Sequence, residues 1–388
     1  MNRLDKLVRA VCQNGVNHIA IGQLIKQKRI ITITPSIKIK RNDYLVDGAT
    51  PIISQEAEYI SGYCNLADKN IPKDNYVCFG DHSEHIKFID FAFVQGADGL
   101  KIMRTDETVL SARYLFHAAS SLYCRHNNYE RHFKYFTDTI IPLPPLAVQQ
   151  EIVRILDSFT ELTAELTAEL TARRKQYECY KECIFEKFNS SSATFMPLNE
   201  VANVKDGTHD SPKPVVSGKY LITSKNVKSG KIILDGAYQI SEEDFNAINK
   251  RSKVDKWDIL FTMIGTVGEI GIATDIPDYA IKNVGLIKTG DEVLAKFLKY
   301  YLTSSKAKKY IKDNRSKGSQ MFLGLEKLRV LPVPSISSSE MAEIVSILDR
   351  FDTLCNSITS GLPAEIVARQ KQYEYYRDKL LMFKELDA

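Results

Sequence analysis

The sequence predicts a mixed α/β protein in which two globular heads are carried by two copies of one helical scaffold. Three observations predict this. The segment Pro142 to Tyr180 recurs, in order but imperfectly, at Pro332 to Tyr376. Past the Pro-x-Pro that opens each copy, apolar residues fall three and four positions apart, the period of one helical face. Ahead of each copy, residues 16–140 and 193–330 are richer in β-branched runs and turn residues, and look unlike one another.

The repeat comes first, because a missed internal period misassigns an architecture. Pro142-Leu143-Pro144 answers Pro332-Val333-Pro334, and the run Glu151 to Phe159 answers Glu343 to Phe351. Lys175-Gln176-Tyr177-Glu178 answers Lys371-Gln372-Tyr373-Glu374. A fainter echo sets Ile19 to Leu24 against Met196 to Val201, where each head begins. The anchors divide the chain into an N-terminal helical segment 1–15, a head at 16–140, a central helical spacer 141–192, a second head at 193–330 and a distal helical spacer 331–388.

In the central spacer the apolar stripe is Ile155, Phe159, Leu162, Leu166 and Leu170; in the distal one it is Ile347, Phe351, Leu354, Ile358, Leu362 and Ile366. Three-four spacing is the seam of a coiled coil, and the partner of each helix could be the other copy. Thr-Ala-Glu-Leu stands at 163–166 and again at 167–170. A four-residue unit advances a helix by about 6 Å with about 40° of residual turn, so such units can lengthen a helix without breaking it. A low-complexity helix with no metric role would read the same way. The distal copy has 20 positions from Phe351 to Lys371 against 16 from Phe159 to Lys175, and Gly361-Leu362-Pro363 predicts a kink or restart there. Leu4 to Val11 faintly resembles Lys181 to Phe188, as if a cyclic repeat began midway.

Within the heads, two polar clusters precede the Pro-x-Pro of their own copies: Arg125 to Lys134, and Lys312 to Gln320. Arginine, lysine, asparagine and glutamine are the donors that hold phosphates and read base edges, though each cluster alone also fits a solvated surface. Candidate DNA-facing residues are Lys101, Arg125, Asn127, Asn128 and Arg131 in the first head. In the second they are Lys225, Asn226, Lys228, Thr266, Arg315, Lys317, Ser319 and Gln320. Net charge is only +4, too small to argue for any partner by itself.

Several classes are disfavoured. No apolar run approaches the roughly 20 residues of a spanning helix, and the amino terminus lacks a signal peptide's apolar core, so a cytoplasmic protein is expected. The seven cysteines form no Cys-x-x-Cys pair, and no metal site is expected; Cys179 and Cys183 share a helical face but are too few ligands. There is no Asp/Glu-x-Lys nuclease triplet, no Gly-x-Gly and no phosphate loop, so no catalytic residues are assigned.

On Gln150 to Asp157, the Thr-Ala-Glu-Leu units and the paired Lys-Gln-Tyr-Glu segments, the chain resembles the specificity subunit of a type I restriction-modification system, particularly the subfamily with Thr-Ala-Glu-Leu units in its central helix. Ser224 to Val227 and Thr262 to Gly268 look like segments of that family's target-recognition domains. The resemblance covers nearly the whole chain. It implies two target-recognition domains separated by two long antiparallel coiled-coil helices in a pseudo-two-fold molecule. Each domain would read one half of a bipartite asymmetric site in double-stranded DNA, with the helices setting the unread spacer. It implies no cofactor in this chain: S-adenosylmethionine, ATP and Mg would serve two methyltransferase (M) and two restriction (R) subunits recruited to it. The second copy departs from the pattern by lacking a Thr-Ala-Glu-Leu unit. The alternatives are a fragment of a fused restriction-methylation enzyme, which the missing motifs oppose, and a coiled-coil adaptor whose heads bind proteins.

Overall fold

The structure is a computed structural model that describes residues 3–66, 70–190, 194–318, 321–357 and 359–386. The chain forms two compact units: Met1–Thr167 with Glu365–Ala388, and Ala168–Ala364. Both dividing points fall inside helices, so each unit holds one head and the stretch of scaffold that supports it.

Unit 1 opens with α1 (Arg3–Val11). Its head then runs β1 (Asn17–Ala20), α2 (Ile21–Lys26), β2 (Ile30–Ile33), β3 (Thr50–Ile53), β4 (Gly62–Cys64), β5 (Tyr76–Gly80), β6 (Ile86–Ile89), β7 (Val94–Gln95), β8 (Leu100–Thr105), α3 (Ala112–Leu122), α4 (Phe133–Asp138) and β9 (Ile140–Leu143). Antiparallel pairing of β1 with β9 closes the head where it meets the scaffold. One sheet has the order β2-β8-β5-β6, and a second has β4-β3-β7 with β3 and β7 parallel. Every residue of β5 is buried, as expected of a central strand covered on both faces.

The chain continues into α5 (Leu146–Ser190), whose residues through Thr167 belong to unit 1. The head of unit 2 runs β10 (Phe195–Pro197), α6 (Leu198–Val201), β11 (Asn203–Asp206), β12 (Lys219–Ile222), β13 (Val227–Lys228), β14 (Lys231–Ile232), β15 (Gln239–Ile240), α7 (Glu242–Ser252), β16 (Ile259–Thr262), β17 (Ile270–Ile272), β18 (Tyr279–Ile281), β19 (Val284–Lys288), α8 (Glu292–Leu302), α9 (Ser305–Asn314), α10 (Leu325–Arg329) and β20 (Pro332–Pro334). Here β10 pairs with β20, the main sheet is β11-β19-β16-β17, and the second is β15-β12-β18 with β12 and β18 parallel. With β13, β14 and α7 set aside as an insertion, the strands match those of unit 1 in order and in pairing. The heads look unrelated in sequence, yet they share one topology.

The scaffold ends with α11 (Ser338–Asn356) and α12 (Gly361–Leu381). The break expected at Gly361-Leu362-Pro363 is present. Gly361 has φ +80°, and a Cβ there would lie 2.6 Å from the Thr353 carbonyl oxygen, so glycine is required at the restart.

Each unit has its own principal core, made jointly by head and scaffold. In unit 1, Leu24, Phe79, Tyr114 and Phe136 of the head pack with Val148, Ile152 and Leu156 of α5 and Leu381 of α12. In unit 2, Phe261, Phe297 and Tyr301 pack with Tyr177 and Phe185 of α5 and Val345 and Leu348 of α11. Counted from the paired Lys-Gln-Tyr segments, Leu381 stands where Phe185 stands, and both are buried. By that register the end of α12 answers Lys181 to Phe188, and α1 adds Leu4 to the unit 1 core. The seam residues Leu162, Leu166, Leu170, Leu354 and Leu362 are half-buried, and Ile358 lies outside the described residues.

One polar joint is built the same way in both units. The repeat aligns Asp157 with Asp349. Asp157 accepts from Arg113 Nε at 2.9 Å and lies 2.8 Å from His117 Nε2, two residues one turn apart on α3. Asp349 accepts from Lys296 Nζ at 2.7 Å and from the Tyr300 hydroxyl at 2.5 Å, again one turn apart, on α8. A tyrosine hydroxyl also donates to the first carbonyl of each Pro-x-Pro, Tyr114 to Pro142 at 2.9 Å and Tyr301 to Pro332 at 2.5 Å. Burial alone would raise the Asp157 carboxyl, but His117 and Arg113 more than offset it and hold it below its ordinary value. Replacing Asp157 with alanine strands a buried histidine nitrogen and is expected to cost about 1–3 kcal/mol in urea unfolding, against about 0.5 kcal/mol or less for the exposed Glu161→Ala.

Candidate nucleic-acid interface

In unit 1 the turn between β5 and β6, Asp81 to His85, meets the loop between α3 and α4. Glu84 makes that meeting. It adopts a left-handed conformation (φ +57°) and is buried. Its carboxylate accepts the Tyr123 hydroxyl at 2.6 Å and the backbone N–H groups of His126 at 2.8 Å and Asn127 at 2.7 Å. Two successive N–H groups, with Asn127 at φ +56°, form a concavity that takes an anion, and Glu84 fills it from within the fold. Burial alone would raise this carboxyl; the Tyr123, His126 and Asn127 hydrogen bonds and the nearby His132 outweigh it and lower it from 4.5 to about 2.

Asp81 adds to the attachment. Its carbonyl accepts from the His132 N–H at 2.7 Å, and its carboxylate accepts from the Phe133 N–H at 2.9 Å at the start of α4. The buried His132 ring lies 2.7 Å from Asn128 Oδ1 through Nε2 and 3.2 Å from the Asp81 carbonyl through Nδ1. Glu84, His126 and His132 bring ligand atoms within 4.8 Å of one another, a spacing a metal could use. The hydrogen bonds above already engage the carboxylate and both His132 nitrogens, so the group acts as a tether.

All five first-head candidates lie on or beside this assembly. Lys101 Nζ is 3.6 Å from Asp81 and over the Phe133 ring at 5.3 Å. Arg125 reaches His85 Nδ1 at 3.5 Å. Asn127, Asn128 and the exposed Arg131 are on the loop itself. Sequence reasoning missed Glu84; Tyr129, an aromatic within the Arg125 to Lys134 cluster, has a ring that is 91% exposed and stacks on His82 with centroids 5.3 Å apart.

Unit 2 places a different construction at the same point of its topology. The turn between β16 and β17 uses Gly265 (φ +79°) and Gly268 (φ +99°). It is tied by backbone to the segment before α10: Gly265 N–H donates to the Met321 carbonyl and Leu323 N–H to that of Met263, both at 2.9 Å, and Ile264 bridges Phe322. Ser316 N–H closes the loop on the Phe322 carbonyl at 2.8 Å. The turn between β13 and β14 joins through Ser229 N–H to Glu269 at 3.1 Å. Thr266, Lys228, Arg315 and Lys317 therefore belong to one connected surface, and Lys225 lies just before β13. Ser319 and Gln320 fall outside the described residues.

Asn226 needs correction. It is buried, its Oδ1 accepts from the Thr223 N–H at 3.1 Å and hydroxyl at 3.0 Å, and its Nδ2 donates to the Ile233 carbonyl at 3.1 Å. With those atoms engaged it shapes a turn. Among the described residues, the side chains of Arg131, Lys225, Lys228, Arg315 and Lys317 make no hydrogen bond or ion pair. Another feature missed is the Asp206 carboxylate at the end of β11, buried between His209, at 3.0 Å, and Arg251; the Gly207-Thr208-His209 turn was its only local signal.

Glu84 supplies a pH test. Because its carboxyl is lowered in the folded chain, its stabilisation is fully present above about 4.5 and is lost as pH falls through about 2. Glu84→Gln is expected to destabilise the protein by about 1–3 kcal/mol at pH 7, the difference shrinking progressively below pH 4.5, with faster amide exchange at 126 and 127. Denaturation at several pH values with hydrogen exchange measures both effects.

The chain matches the family described as type I restriction modification DNA specificity domain twice, over residues 22–173 and 191–368. Each match covers most of a head and continues into the scaffold after it. The chain is 28% identical over 99% of its length to the Type I restriction enzyme EcoR124I/EcoR124II specificity subunit of Escherichia coli, covering 97% of that protein. It is 36% identical over 63% of its length to a putative type I restriction enzyme specificity subunit of Haemophilus influenzae, covering 63% of it. Among solved structures it is similar to the type I restriction-modification S subunit from M. genitalium, with TM-score 0.57 and 17% identity over 95% of this chain and 96% of that one. A chain from work on complex assembly and conformational transition of the type I R-M system gives TM-score 0.59 and 14% identity, over 95% of this chain and 97% of that one. These two structural likenesses concern the fold.

Proposed function

The chain belongs to the type I restriction-modification DNA specificity family, and from that premise we propose how it divides the work of recognition. Each head reads one half of a bipartite, asymmetric sequence in double-stranded DNA, through the paired turn and loop described above. The scaffold helices set the length of the unread spacer. The chain itself performs no catalysis. It recruits two methyltransferase subunits and two restriction subunits in the cytoplasm, and S-adenosylmethionine, ATP and Mg serve those partners.

One observation carries this reading. At the same place in a shared topology, each head presents a turn bonded to a loop that bears an uncommitted arginine, Arg131 or Arg315, yet the bonds that hold the loop and the residues around it differ. Two readers of one design with different side chains suit two unlike half-sites, since phosphate contacts position a protein and base contacts specify it. A protein-binding adaptor would give no reason for equivalent unpaired cations in both heads.

The helix offers a mechanism for the spacer. Thr163 Oγ1 donates to the Phe159 carbonyl at 2.8 Å, and Thr167 Oγ1 to the Thr163 carbonyl at 2.7 Å. Each Thr-Ala-Glu-Leu unit thus satisfies its hydroxyl on the residue four before it, and an added unit can do the same. One unit adds about 6 Å and about 40° of turn, against about 3.4 Å and roughly 34–36° per base-pair step.

Methylation mapping of DNA from cells expressing the chain with its partner subunits is expected to return a two-part motif. A single uninterrupted motif would count against two separate readers. Inserting one Thr-Ala-Glu-Leu unit is expected to lengthen the spacer by about one base pair while both half-sites stay the same; an unchanged spacer refutes the ruler. Lys317→Ala is expected to weaken methylation that depends on the half-site of the second head, and equal loss at both halves would displace that loop from the interface.

A further inference from the structure

We infer that each head carries an apolar probe for DNA bases, Tyr129 in the first and Phe322 in the second. The inference rests on the DNA reading proposed above and names one aromatic inside the first polar cluster and one two residues past the second. Tyr129 is 91% exposed and Phe322 51% exposed. Exposed aromatics scattered singly need no explanation. These two are not scattered, because Tyr129 lies between α3 and α4 and Phe322 between α9 and α10, each in the segment that leads to the closing strand, and each is braced by the turn of the main-sheet hairpin.

The bracing differs in chemistry and agrees in position. Tyr129 lies on the ring of His82 at an interplanar angle of 18°, and the Glu130 carbonyl lies 3.0 Å from His82 Nδ1, which fixes the backbone beside the tyrosine. Phe322 forms an antiparallel bridge with Ile264 across the turn, with Gly265 and Leu323 bonded on either side. A loop held this firmly gives its outward aromatic little freedom to fold back. An immobilised, solvated ring loses less conformational entropy on contact than a free one does.

The neighbours indicate what the rings meet. Arg125 and Arg131 flank Tyr129 in sequence, and Arg315 and Lys317 precede Phe322. Cations at the margin suit the phosphates on both sides of a groove, which leaves the ring at the base edges between them. There an aromatic side chain packs on a thymine methyl or the face of a base step, contacts that carry sequence information without a hydrogen bond. The hydroxyl of Tyr129 makes no hydrogen bond among the described residues, so the ring is the functional part.

The test uses the full chain assembled with its methyltransferase subunits, with affinity for the mapped duplex measured from 50 to 200 mM salt. Tyr129→Ala is expected to weaken specific binding by about tenfold, Tyr129→Phe to leave it near wild type, and the slope of log affinity against log salt to stay unchanged in both. Arg131→Ala is expected instead to reduce that slope by about one. Scrambling the first half-site should cost the Tyr129→Ala complex about tenfold less than it costs wild type, whereas scrambling the second should cost both the same; Phe322→Ala should show the converse. Wild-type affinity for both alanine variants, or a loss that tracks the salt slope, overturns the probes. A wild-type complex with no preference for its mapped site would overturn the DNA reading itself.

Discussion

One aspartate, present in both scaffold copies, fixes how each head is set on the helix that carries it. Hydrophobic burial between a head and its helix is strong but non-directional, and would tolerate rotation of one on the other. Two donors one helical turn apart, both directed at one carboxylate, remove that freedom: Arg113 and His117 on Asp157, Lys296 and Tyr300 on Asp349. The donors differ between units and the geometry does not. The tyrosine bond to the Pro-x-Pro carbonyl supplies a second fixed point, reached from Tyr114 in one head and from Tyr301 in the other. A head fixed at two such points can change the residues at its far end without changing how it is mounted.

The far end shows what that permits. Unit 1 attaches its loop through charge, with Glu84 filling a concavity of backbone N–H groups. Unit 2 attaches its loop through backbone pairing between residues 263–265 and 321–323. A carboxylate tether needs one acidic residue and releases the loop sequence from any pairing pattern. A backbone tether needs two glycines in the turn and leaves the side chains of both segments free. Either device holds a loop while its outward residues vary.

This division of labour explains what the sequence disclosed. The scaffold was legible because its determinants are periodic or punctuating: the Pro-x-Pro pairs, the apolar stripe and the Gly-Leu-Pro break each have one structural meaning wherever they occur. The shared head topology was not legible, since most of the strands are two to five residues long and are specified by burial against neighbours distant in sequence. The loop positions were legible as polar clusters next to the scaffold. Which residues in them act was not. Asn226 reads as a base-reading amide and is consumed by a turn, while Glu84 reads as an ordinary surface acid and is a buried anion in left-handed backbone. In both cases the deciding fact is a hydrogen bond to backbone, and backbone has no sequence signature.

The break in the distal scaffold bears on the same division. Four positions separate the end of α11 at Asn356 from the start of α12 at Gly361. The distal copy exceeds the central one by four positions between matched anchors, 20 against 16. The excess is therefore equal in length to the non-helical connection, and the helical stretches between the anchors agree in length. The extra residues give the distal side no added rise of helix. The restart is specified rather than slack, because Gly361 is packed against the carbonyls of Thr353 and Leu354 and tolerates no side chain. The two copies thus differ in kind: α5 runs unbroken through units that repeat their own hydrogen bonds, while the distal copy carries one defined break.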